Sequence, residues 1–285
     1  MDPILAVVIF IVGLVFGSFL NVCISRIPRG VSIVAPRSHC PLCARPIAPR
    51  DNVPVLSWLL LRGKCRGCGG PISLRYPVVE LLTAILFLAC YASLGLGWIC
   101  LKATVLCFLL IGLIFMDAET GLLPAEFTYT GIALGLLLAW KLPLDSSGTG
   151  FLLRQFGLRT IASPSVLSFL DAAVGAVIGA GFFFAAWAGY YLVRKRDGIG
   201  FGDIALMAMV GTFLGLKLTV LVVFLAPLMG TLFALSLLFR RPVLAEGPVS
   251  FFSRALPFGV FLGTSALISL FLGQAIWNWY LGLFR

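Results

Sequence analysis

At 285 residues the chain is long enough for one large domain or two small ones. Its 60% hydrophobic and 11% charged residues and mean hydropathy of +1.08 exclude an ordinary soluble domain, in which roughly 25% of residues are charged. The net charge of +10 would point to nucleic acid in a soluble chain; in a membrane protein what matters is where the charges lie.

The apolar stretch from Ile4 to Leu20 resembles a signal peptide, but its basic flank, Arg26 and Arg29, follows it. That order reads as a retained first span. Spans need about 20 mainly apolar residues, and eight are expected: 4–25, 77–96, 98–116, 122–141, 167–193, 204–216, 218–239 and 258–281. The breaks follow Gly95 and Gly97, Gly121 and Pro124, Lys217, and Arg240-Arg241-Pro242. With the N-terminus outside, fifteen lysines and arginines lie on the inner side and six on the outer, which supports an even number of spans. The expected fold is thus an all-α polytopic membrane protein of about eight transmembrane helices, with a small cytoplasmic loop domain between the first and second. The division is 1–25 as first helix, 26–76 as loop domain and 77–285 as transmembrane core. Residues 142–166 form an outer loop, and no internal repeat is visible.

The loop domain is too small for its own core without a staple. It carries Cys40-Pro-Leu-Cys43 and Cys65-Arg-Gly-Cys68, with 21 residues between the pairs. Four thiolates on two tight turns suit tetrahedral zinc. Two disulfides are the alternative, which a reducing cytoplasm disfavours. A closed four-sulfur site has no open position for water, so its role is structural. His39, the only histidine, adjoins the first ligand and is expected to be an exposed loop residue. Cys23, Cys90, Cys100 and Cys107 sit singly in apolar spans as small packing residues. The surrounding arginines are what any cytoplasmic loop of a membrane protein carries, so no nucleic-acid partner is expected.

At the inner membrane edge lie Glu80, Asp117, Glu119, Glu126 and Asp203. An acid at the edge of a hydrocarbon layer is a functional candidate. Asp117 ends the third span and Asp203 begins the sixth, so both reach one depth on one side. Asp203 follows Gly200 and Gly202, which let another chain lie close. Two carboxylates sharing a site do not both ionise easily. The ionised one can take a proton from attacking water while the protonated one polarises a peptide carbonyl. Each acid also has a structural alternative: Asp203 as a helix N-cap, Asp117 as an interfacial residue turned to water. Glu80 either pairs with Arg75 or meets a basic substrate segment, and Asn21 is expected to hydrogen-bond between helices.

These residues resemble the type IV prepilin peptidases, membrane aspartyl proteases of the GxGD type. The resemblance covers nearly the whole chain: Gly17-Ser-Phe-Leu-Asn-Val22 with Arg26-Ile-Pro28, Ser38-His-Cys-Pro-Leu-Cys43, Asn52-Val-Pro54, Ile72-Ser-Leu-Arg-Tyr-Pro77, Gly200-Phe-Gly-Asp203 and Pro257-Phe-Gly259. It implies that Asp117 and Asp203 cleave the basic leader of prepilins, or of pseudopilins of type II secretion, at the cytoplasmic face of a bacterial inner membrane. It also implies N-methylation of the new terminus with S-adenosylmethionine, although no glycine-rich nucleotide loop follows a strand here. The chain departs from the family pattern at Ala205, Glu119 and Ala125, which bears on local charge and substrate contacts and leaves both aspartates in place. A peptidase without transferase activity is the first alternative. A transporter is a weaker one, because paired repeats and midplane acids are missing, and a structural membrane component leaves the glycine-rich stretch without a purpose.

Overall fold

The computed structural model describes residues 2–141, 163–239 except Asp197 and Ile199, and 257–283. Residues 142–162 of the expected outer loop, and the Arg240-Arg241-Pro242 break, lie outside the described residues. The regular elements are all helical: α1 (Pro3–Arg26), α2 (Leu56–Leu60), α3 (Arg75–Leu94), α4 (Trp98–Thr120), α5 (Ala125–Lys141), α6 (Pro164–Arg194), α7 (Phe201–Phe239) and α8 (Phe258–Gly282). Among the described residues, six of these helices are long and apolar enough to cross a membrane, and Ala125–Trp140 is a shorter apolar helix. One of the six, α7, is broken at Gly215, where φ is 72° and ψ −179°. Each of the eight expected spans therefore falls on a helical segment.

The helix ends follow local chemistry. Asp2 caps α1, its carboxylate accepting the Ile4 N–H at 2.8 Å, with Pro3 at the first helical position, where its missing N–H costs nothing. Ser163 and Pro164 start α6 in the same way. The chain leaves α3 through Gly95, whose N–H closes on the Tyr91 oxygen.

The chain packs as two units, Met1–Gly112 and Leu113–Arg285, with α4 contributing to both. In the first, α1 lies against α3 at very short range: a β-carbon on Gly13 would come within 2.5 Å of the Ala84 Cα, and one on Gly17 within 2.6 Å of the Glu80 Cα. Small residues allow such approaches, and van der Waals contact then holds helices together in lipid. Asn21 adds the expected interhelical bond, its Nδ2 donating to the Tyr76 oxygen at 3.0 Å. Cys90 and Cys107 do not sit singly; their sulfurs face each other at 3.7 Å.

In the second unit α6 supports both arms of α7. A β-carbon at Gly179 would lie 2.9 Å from both the Met207 oxygen and the Thr219 Cγ2. Twelve residues of straight helix would separate those two by about 18 Å. The arms therefore fold back on each other at Gly215, against the Asp171 carboxylate, and no side chain fits there. The expected boundary at Lys217 is met two residues earlier. Helix α8 packs on this hairpin through Phe261 and Phe233, whose ring centres are 5.4 Å apart.

Candidate active site and metal centre

The metal centre is built from two copies of one turn. Cys40 N–H donates to the Arg45 oxygen at 2.9 Å and Ala44 N–H to the Cys40 oxygen at 2.9 Å; Cys65 N–H donates to the Gly70 oxygen at 2.8 Å and Gly69 N–H to the Cys65 oxygen at 2.8 Å. Each copy begins in an isolated antiparallel bridge, His39 with Pro46 and Lys64 with Pro71. The residue after the second cysteine turns left-handed in both, at φ 55° for Ala44 and 70° for Gly69. These turns gather the sulfurs of Cys40, Cys43, Cys65 and Cys68 within 4.8 Å of one another, with Cys40 and Cys68 at 3.9 Å. Tetrahedral sulfur ligation at about 2.3 Å puts the sulfurs about 3.8 Å apart, so the cluster could hold a metal ion. The Cys43 and Leu42 amides pull the Cys40 thiol down to about 6, toward the thiolate that a metal requires. Cys68, although the Gly70 amide pulls it down, is pushed to about 11 by its crowding with the thiols of Cys43, Cys65 and Cys40, a conflict that a shared cation would relieve. His39 is exposed and outside the cluster. Arg66, next to a ligand, grips Asp51 with bonds of 2.8 and 3.0 Å and ties the second turn to the segment before α2.

The two aspartates lie in the second unit, one near the end of α4 and one in the first turn of α7. Asp117 is 5% exposed in the last turns of α4, and its Oδ2 accepts the Val260 N–H, in the first turn of α8, at 3.0 Å. A β-carbon on Gly259 would stand 2.9 Å from that Oδ2 and 3.0 Å from the Leu123 Cδ1. Asp203 is half-buried in the first turn of α7. Its N–H donates to the Gly200 oxygen at 3.1 Å, and its carboxylate folds back toward Gly200, 3.4 Å from where a β-carbon would be. A β-carbon on Gly202 would lie 2.8 Å from the Leu123 Cβ. Leu123 is thus wedged between the glycine beside Asp203 and the glycine beside the Asp117 carboxylate. The two carboxylates interact electrostatically.

The structure brings together Asp117, Asp203, Gly200 and Gly202, and separately the four cysteines. Glu80 belongs to the first unit, 6% exposed, its Oε2 accepting the Val55 N–H at 2.7 Å. Asp197 lies outside the described residues. The roles of Leu123 and Val260 carry no sequence signal, since one is a leucine among leucines and the other acts through its backbone.

A family model described as Bacterial Peptidase A24 N-terminal domain matches residues 11–94, and one described as Type IV leader peptidase family matches residues 104–235. A "Prepilin leader peptidase/N-methyltransferase" of Aeromonas hydrophila is 35% identical over 300 residues, which cover 96% of this chain and 92% of that protein. This chain belongs to the type IV leader peptidase family. A family member of the same name from Bacillus subtilis is 31% identical and covers 96% of this chain and 97% of its own length. One from Myxococcus xanthus is 40% identical over 237 residues, 83% of this chain, and the chain spans 64% of that relative's length. No solved structure matches the chain.

Proposed function

We propose that the protein cleaves the basic leader from prepilins or pseudopilins with Asp117 and Asp203, and then methylates the exposed amine. The observation that carries the reading is that Asp117 and Asp203, from two different helices, stand close enough to interact, with Leu123 packed against the glycine beside each. Membership of the leader peptidase family supports the reaction class, and the names of its members support the second activity.

In this reading residues 1–25 form an anchoring span, 26–76 a zinc-stapled cytoplasmic domain and 77–285 the peptidase core. The excess of basic residues on one side supports a cytoplasmic position for both aspartates, where an untranslocated leader would lie. One carboxylate is ionised and the other protonated. The ionised member accepts a proton from water as its oxygen bonds to the scissile carbonyl carbon. The protonated member donates to the carbonyl oxygen, which takes the electron pair. When the tetrahedral species collapses the C–N bond breaks and the amide nitrogen is protonated. The leader leaves with a new carboxyl group, and the mature chain with a free amine. S-adenosylmethionine, when bound, supplies a methyl group on a positively charged sulfur for that amine. Cys40, Cys43, Cys65 and Cys68 would hold zinc in a structural role.

The test is purified protein in detergent with a prepilin, with and without labelled S-adenosylmethionine, comparing Asp117→Asn and Asp203→Asn. Asparagine caps helix starts about as well as aspartate, so each variant keeps its fold. It cannot exchange the proton, and cleavage should fall at least about 100-fold. Cleavage surviving in either variant sinks the acid pair. Cleavage without label in the mature product leaves a peptidase alone.

A further inference from the structure

The first unit contains a cavity of about 820 Å³, inside the range of roughly 300–1,000 Å³ typical of small-molecule sites. Its walls come from the inner ends of α1 and α3 and from the cysteine turns, Cys40, Cys65 and Gly67 among them. Two buried lining residues, Asn21 of α1 and Glu80 of α3, mark its deep end at 2% and 6% exposure. Asn21 spends its Nδ2 on the Gly17 and Tyr76 oxygens, while its Oδ1 has no partner among the described residues. An unmatched buried acceptor costs of the order of 1–3 kcal/mol, so it calls for a donor. Glu80 supplies the second acceptor. The other lining carboxylate, Asp51, is engaged by Arg66 at 2.8 Å, whereas Glu80 accepts the Val55 N–H at 2.7 Å and a bond from the Ser18 hydroxyl, fewer than the about four acceptor positions of a carboxylate. At the open end the lining is of opposite sign, with Arg29, Arg45 and Arg50 exposed. Half-buried Trp58 and exposed Tyr76 add aromatic surface.

Acceptors at the deep end and guanidinium groups at the open end select a zwitterion whose ammonium enters first and whose carboxylate faces outward. The volume leaves room for a purine-sized extension against the aromatic rings. We propose that this cavity is the S-adenosylmethionine site, with Asn21 and Glu80 receiving the amino group. The proposal rests on the transferase half of the reading above. A site for the product's own new amine would need the same acceptors but no arginine end, because that amine continues into an apolar helix and carries no nearby carboxylate.

The test is equilibrium dialysis of labelled S-adenosylmethionine against the full-length, metal-loaded protein in detergent without prepilin, so that binding is read apart from turnover. One donor per chain is expected. Glu80→Gln and Asn21→Leu should each weaken binding at least about tenfold, with metal content and thermal midpoint reporting that the unit is folded. Free methionine should compete at least about tenfold better than methioninamide, which lacks the carboxylate. Folded Glu80→Gln protein that binds the donor as wild type does overturns the site and leaves the proposed function standing. Equal competition by methioninamide overturns it in favour of an amine-only site. Wild-type protein that cleaves prepilin and binds no donor overturns both this site and the transferase half.

Discussion

Gly259→Ala tests how Asp117 is held, by adding one methyl group outside the reacting atoms. The new carbon would stand 2.9 Å from the Asp117 Oδ2, 3.0 Å from its Cγ and 3.0 Å from the Leu123 Cδ1. Ordinary carbon contacts begin near about 3.5 Å, so the carboxylate and the leucine must each give way by roughly half an ångström. Moving Asp117 stretches its 3.0 Å bond from Val260, and moving Leu123 disturbs its seat on Gly202. A misplacement of about 1 Å can cost about 100-fold in rate, so about half of that predicts a roughly tenfold loss, equivalent to about 1.4 kcal/mol in the barrier. The loss should fall on kcat, because no surface away from the acids changes. Stability should change little, since an overpacking cost of about 1 kcal/mol is offset by alanine's helix preference over glycine of up to about 1 kcal/mol. The assay is prepilin cleavage at several substrate concentrations, with Gly200→Ala as comparison; its β-carbon meets the Asp203 Oδ2 at an ordinary 3.4 Å, so its effect should be smaller. Wild-type kcat in Gly259→Ala, or a loss explained by a lowered thermal midpoint, would refute the argument.

Removing metal with a chelator should loosen the 26–76 segment, seen as faster amide exchange at Cys40, Ala44, Cys65 and Gly69, while exchange in α6 and α7 stays unchanged; uniform exchange throughout would contradict a local staple. Ala44→Gly should raise the metal-loaded unit's stability by up to about 1 kcal/mol, because alanine at φ 55° is strained where glycine is not. Gly69→Ala at φ 70° should act with the opposite sign. Arg66 hydrogen-bonds to Asp51 and holds its carboxyl below the usual carboxylate range. That contribution is complete above the unfolded value near about 4 and is lost as pH falls through the lowered folded value. Asp51→Asn should therefore differ from wild type in chelator resistance at neutral pH and converge with it in acid.

What the sequence makes legible here is what side chains carry. The cysteine spacing specifies the cluster because a two-residue gap closes into one kind of turn, and the glycines after Cys68 announce its left-handed exit. The first copy of that turn uses Ala44, and nothing in its composition shows that it adopts the same backbone. Apolar runs locate all eight helical segments, but the reversal inside α7 is displaced from the charge that signals it. Lys217 marks where polarity returns, whereas the chain turns where φ can be positive, at Gly215. The pairing of Cys90 with Cys107 depends on which faces of α3 and α4 meet, and uniformly apolar helices do not encode that in their periodicity. The Val260 N–H that holds Asp117 lies 143 residues away and is common to every non-proline residue. Pro257-Phe-Gly259 signals a helix start without saying what the start binds.

That helix start bears on what the two aspartates are for. Both carboxylates do capping work: Asp117 accepts from the first turn of α8, and Asp203 folds over the first residues of α7 toward Gly200. Capping alone would account for either residue, since an acid at a helix start is worth roughly 0.5–2 kcal/mol. It does not account for the pair. Pro257, at the N-cap position of α8, makes no side-chain cap, and a local serine or aspartate there would serve without placing a charge from α4 beside Leu123. Nor does capping require the glycines: Gly202 and Gly259 let the Leu123 side chain pack between the two helix starts, and a cap needs no such packing. An acid pair needs both features. The Val260 amide holds the Asp117 carboxylate and the turn at Gly200 holds that of Asp203, and the glycines let Leu123 seat between them so that both stand at one site. Capping is then the means by which two flexible side chains are held in register for one reaction, and the asparagine variants separate the two roles because they keep the first and abolish the second.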